Sequence, residues 1–193
     1  MDRETLDEIF ESQPALEPVA RFAQLIPKTP WFRHIGDPLE DALAADCRHY
    51  AEALGFPDAE PAVIAFWEEA RGALESTDLD PPAWEEEEQL RAALVAAACE
   101  TVEEAELTMV LDYIAAIAAD SAQAGAEDMR RFLQIEDEAF TRLAMGAGAQ
   151  VCHQAALVLA GDGDAEHPFS LKYRLFEHGR WPLGIIGSSL NIF

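Results

Sequence analysis

Two acidic pairs are the residues of this chain best suited to metal chemistry. Glu85-x-x-Glu88 and Glu103-x-x-Glu106 each space two carboxylates about one helical turn apart, so each pair would project from one helix face. Two such helices side by side would give Mg²⁺ its oxygen ligands and leave room for a phosphate. The chemistry that follows is a Mg-dependent, all-α hydrolase of a phosphorylated small molecule. The same four residues also fit a solvated acidic face, which needs no metal. Mg²⁺ is expected only under the hydrolase reading, and otherwise no cofactor.

Each remaining constellation lacks a part. Helical di-metal sites use Glu-x-x-His, and the nearest spacing here is Asp46-x-x-His49, which equally reads as a partly exposed helix pair. Cys47, His49, Cys152 and His153 are zinc-ligand types, but adjacent Cys152 and His153 would point about 100° apart on a helix. Asp162-x-Asp164-x-Glu166 begins like a calcium loop, yet His167 stands where that loop needs glycine and Tyr173 where it needs a bidentate Glu. It reads as a polar turn. Gly146-x-Gly148 lacks the third glycine and preceding strand of a dinucleotide site, and Gly187-Ser188-Ser189 is no nucleophile elbow. Trp67, Trp84 and Trp181 are aromatic enough to line a pocket or to pack a core. The three cysteines are far apart and fall in helical stretches, so they read as reduced, buried small hydrophobes.

The elements that would carry these residues read as helices. Thr5-x-x-Glu8 and Thr101-x-x-Glu104 have capping-box spacing, and Asp37-Pro38 is a start signal. Apolar stripes at spacings of three and four follow from Leu39 to Leu54, from Asp58 to Leu74, and from Val102 to Ile117. Asp80-Pro81-Pro82 restarts a helix whose first turns hold Glu85 to Glu88, and a small-residue face follows. Pro27 to Asp37 reads as an irregular connection bearing Trp31, Phe32 and His34. Gly125 reads as a separator, and Gly146 and Gly148 as marks of a kink or of close packing. No segment of comparable length alternates with period two. The expected fold is a single all-α domain over residues 1–193, a bundle of roughly seven or eight helices.

Residues 168–193 differ in character from the acidic helical body, 1–167. Three bases, Lys172, Arg174 and Arg180, outnumber the single acid Glu177. Phe169, Tyr173 and Phe176 fit a helix, whereas Leu171, Tyr173 and Leu175 fit a strand; Pro168 at a first turn favours the helix. From Trp181 the chain is apolar and punctuated by Gly184 and Gly187, so it is expected to run partly extended and docked on the bundle. His178, Arg180 and Trp181 are the candidate contacts for a ligand or partner.

Charge narrows the function classes. With 13 basic against 37 acidic residues the net charge is −24, which would repel nucleic acid and anionic membranes alike. The opening Met1-Asp2-Arg3-Glu4 lacks the basic and apolar regions of a signal peptide, and the cytoplasm is the expected compartment. An acidic body steers a basic protein toward it and speeds association. The leading expectation is therefore an acidic protein-binding module without catalysis, of inhibitor, immunity or adaptor type, with homo-oligomerisation left open.

Overall fold

The computed structural model describes residues 3–75, 81–161 and 163–193. Among them are eight α-helices and one small sheet, in the order α1 (Arg3–Ser12), α2 (Glu17–Ala23), α3 (Asp41–Ala53), β1 (Glu60–Val63), α4 (Trp67–Glu75), α5 (Pro81–Ala98), α6 (Glu104–Phe132), α7 (Ala139–Ala160), α8 (Pro168–Glu177), β2 (Pro182–Ile186) and β3 (Ser189–Ile192). The protein is thus mainly helical, with its last segment docked on the helices.

The long α6 and α7 form the central hairpin, joined by residues 133–138. Their facing surfaces are small: Ala118, Ala122 and Ala126 on α6, Ala144 and Gly148 on α7, all buried. A Cβ added at Gly148 would lie 2.4 Å from the Cβ of Ala122, so the backbones approach more closely than any larger residue allows. Gly125 does not separate two helices. It lies inside α6, under Trp31, whose Cβ would be 2.6 Å from a Cβ added there. Trp31 is held by donating from Nε1 to the Ser121 hydroxyl at 2.9 Å. Gly146 is different, since a Cβ there meets nothing within 4 Å.

The helix α7 is the one described helix long and apolar enough to cross a membrane, and over half of its apolar window is buried within this fold. Around the hairpin, Trp31, Phe32, Trp67, Phe140, Phe176 and Trp181 pack edge-on or tilted against one another, except that Trp67 and Trp181 stack, with Phe193 beside both.

A second, smaller core lies between α3, α8 and the sheet, formed by Cys47, Tyr50, Leu54, Leu171, Leu175, Ile185, Leu190 and Ile192. The sheet order is β1-β3-β2: β3 pairs parallel with β1 (Glu60 opposite Ser189) and antiparallel with β2 (Ile186 opposite Ser189). Gly179, at φ +72°, makes the turn between α8 and β2, and its carbonyl accepts from the His34 amide at 3.0 Å. A side chain there would meet both the backbone strain and His34.

Several expected starts are corrected. The stretch 58–74 is not one helix, because Pro61 breaks it and residues 60–63 join β3 instead. Helix α3 begins at Asp41 rather than at Asp37, whose carboxylate engages His34 Nδ1 at 3.2 Å. Thr5 lies inside α1, and the Thr101 hydroxyl donates back to the Ala98 carbonyl at 3.3 Å, so neither capping box forms. Asp80 lies outside the described residues, while the helix expected after it is α5. The segment 168–177 is helix α8, with the His167 ring accepting from the Phe169 amide at its start.

Candidate functional site

The two acidic pairs sit at opposite ends of α5. Glu88 is about two turns into that helix, and residues 99–102 coil tightly round its far end, where the amides of Thr101 and Val102 reach the Ala98 carbonyl. Glu103 therefore lies about 15 Å or more from Glu88, the rise of the ten residues to Ala98. Glu88 is taken by Arg91 at 2.7 Å and Glu106 accepts from Gln13 at 2.8 Å, while Glu85 and Glu103 are exposed. The four carboxylates do not converge. Among the described residues no group of three or more His, Cys, Asp or Glu is placed to hold a metal ion.

The other nominated ligands also part. Cys47 belongs to the smaller core and Cys152 to the larger, and burial pushes the Cys47 thiol up to about 12 and the Cys152 thiol higher still. Both are inert packing groups, but Cys99 is exposed, contrary to the expectation for all three. His49 pairs with Glu166 at 3.1 Å. Asp164 accepts from the Glu166 amide at 2.6 Å in a polar turn, and Asp162 lies outside the described residues.

Of the candidate ligand or partner contacts, only His178 is exposed; Arg180 and Trp181 are buried, which takes them off an open partner surface, while Trp181 lines a concave region beside Lys172. Arg180 instead donates to the carbonyls of His34, Asp37 and Pro38, the last at 2.8 Å, and so closes the irregular connection that carries Phe32. Burial lowers the Arg180 pKa, and the charges of Asp37 and Glu40 act against that.

Two of the concave regions contrast in charge. The first, of about 700 Å³, lies between the start of α4 and the α6–α7 loop. Phe66, 65 % exposed, and Leu133, 40 % exposed, line it beside Glu68, Glu136 and Asp137, with no Lys or Arg among its described lining residues. Phe132, 78 % exposed, precedes Leu133 at the end of α6. Asp137 is fixed in place by the Trp67 indole and Arg71, both at 2.9 Å.

The second region is a cleft in two compartments that share Lys172, on α8. Lys172 is one of only two lysines in the chain, and it pairs with the largely buried Glu87 of α5 at 2.7 Å. Gln154 of α7 donates to the same carboxylate at 2.9 Å and the Tyr50 hydroxyl of α3 at 3.3 Å. Burial pushes the Glu87 pKa up, but the Lys172 charge and these hydrogen bonds outweigh it and leave the carboxyl below its ordinary value. Burial and Glu87 together drive the Tyr50 hydroxyl well above its ordinary pKa, so it serves as a donor. Trp84, exposed, lines the compartment on the Glu87 side, whereas Trp67 and Trp181 pack the core.

No protein-family model, curated protein or solved structure matches this chain. Sequence reading passed over Glu87, one of four consecutive glutamates, and Lys172. The rarity of lysine in so acidic a chain was the available signal.

Proposed function

We propose that the protein is an acidic binding module for a basic protein partner, and that the partner docks on the concavity between α4 and the α6–α7 loop. The carrying observation is an exposed apolar surface, Phe66 and Leu133, walled by Glu68, Glu136 and the Arg71-paired Asp137, with no base among the described lining residues. Exposed aromatic anchors ringed by one sign of charge suit a partner that brings an apolar side chain flanked by Lys or Arg. The net charge of −24 adds long-range attraction for such a partner. The separation of Glu85 and Glu88 from Glu103 and Glu106 leaves the hydrolase reading without a site, so binding is the preferred function.

The test compares the wild type with Phe66→Ser/Leu133→Ser as immobilised baits in lysate at low salt. Both positions are solvent-facing, so the variant should keep its helical circular dichroism. A protein retained by the wild type, lost by the variant and released by salt supports the proposal. Identical bound sets for the two baits would remove the surface from consideration.

A further inference from the structure

Beyond the protein-binding reading, the second cleft has the composition of a small-molecule site. Its compartment of about 390 Å³ lies within the size range of small-ligand pockets. Leu74, Leu143, Ala147, Val151 and Leu183 make it mainly apolar. Among the described residues its only charged walls are Arg142 and Lys172, and none of its described lining residues is an acid, in a chain that carries 37 acids. Among the described residues Arg142 has no ion pair or hydrogen bond, and the one partner of Lys172 is Glu87, which belongs to the neighbouring compartment. Two ammonium protons of Lys172 and the Arg142 guanidinium are therefore available to an acceptor.

Gly146 points the same way independently. Glycine weakens the interior of a helix, and that weakness is usually offset by close packing, as at Gly148. At Gly146 nothing stands within 4 Å of an added Cβ, and the residue lines this cleft. Gly146 is exposed on α7, and a larger side chain there would project into this space.

We propose that this cleft, between α7, α8 and the start of β2, binds a small monocarboxylate with an apolar body, its carboxylate on Arg142 and Lys172 and its hydrocarbon over Gly146. At roughly 30 Å³ per heavy atom the space suits an acid of about ten carbons. A monoanion fits better than a phosphate, whose second charge would lie close to Glu87, itself 2.7 Å from the Lys172 nitrogen.

Calorimetric titration of the full chain with octanoate and decanoate tests this, with octylamine and octyl phosphate as comparison ligands. The acids should bind at one site, octylamine should not, and octyl phosphate should bind more weakly. Arg142→Gln should weaken acid binding about tenfold, the loss of one charge-assisted contact. Gly146→Leu should abolish it while keeping the thermal midpoint at or above that of the wild type, because the new side chain enters open space. Lack of acid binding at 10 mM, equal binding of octylamine, tighter binding of octyl phosphate, or acid binding unchanged in both variants would each overturn the proposal. Lysate capture through Phe66 and Leu133 is unaffected by any of these outcomes, so the two proposals fail separately.

Discussion

Gly146→Ala and Gly148→Ala are the same chemical change two residues apart on α7, and the structure gives them opposite signs. Each replaces a helix-interior glycine, and the intrinsic gain is about 0.5–1 kcal/mol. At Gly146 the new methyl meets nothing within 4 Å, so the gain is kept. At Gly148 the methyl would sit 2.4 Å from the Ala122 Cβ, against an ordinary carbon contact of ~3.5–4 Å. Ala122 has no rotamer with which to retreat, so α6 and α7 must separate by about 1 Å or more, which also loosens Trp31 at 3.6 Å. Overpacking of this kind costs about 1–3 kcal/mol, and the overlap places it near the top of that range. Net of the helix gain, Gly148→Ala should destabilise by about 2 kcal/mol and Gly146→Ala should stabilise by about 0.5–1 kcal/mol. For a chain of this size the midpoints should move down by roughly 4–8 °C and up by roughly 1–4 °C. Thermal unfolding followed by circular dichroism reads both. Two shifts of the same sign would refute the close-contact account of the hairpin.

Lys172→Met should destabilise by about 3–5 kcal/mol in urea titration, because it leaves the buried Glu87 carboxylate without its cation, while Glu87→Gln/Lys172→Met should recover much of that loss; a double variant no better than the single would contradict this. Burial, reinforced by Arg91, lowers the His153 pKa from 6.5, and burial lowers that of His167. Below pH 6.5 the unfolded chain thus takes up protons that the folded one refuses, and stability should fall as the pH drops from 6.5 toward the folded-state values. His153→Gln should flatten that slope, and an unchanged slope would count against the assignment. Glu87, depressed from 4.5, adds stability at neutral pH that is lost as the pH falls through its folded-state value. Millimolar Mg²⁺ should leave the thermal midpoint unmoved, whereas a clear rise would restore Glu85, Glu88, Glu103 and Glu106 as ligands.

The helical body was legible because amphipathic periodicity is local: the stripes along α3, α6 and α8 are set by residues three and four apart. So was the acidic balance, and so was the docking of the apolar residues after Trp181, since Ile185, Leu190 and Ile192 had to leave water somewhere. Chemistry sought by spacing fared otherwise. Glu-x-x-Glu fixes two carboxylates on one face, but it says nothing of where the next helix begins in space, and the turn at 99–102 sent the second pair to the far end of α5.

What tertiary structure alone decided was which of several like residues faces inward. Glu85, Glu86, Glu87 and Glu88 are chemically identical and differ by about 100° of rotation each; only the approach of Lys172, Gln154 and Tyr50, from three other helices, selects Glu87. Strand β1 is four residues long and contains Pro61, and it becomes a strand only because Ser189 to Ile192, far along the chain, lie alongside. Gly125, Gly146 and Gly148 look alike in sequence, yet one lies under Trp31, one opens a cleft and one meets Ala122. Composition and periodicity are properties of the chain near each residue, whereas the cleft, the buried ion pair and the sheet are built from contacts between distant segments, which no local pattern encodes.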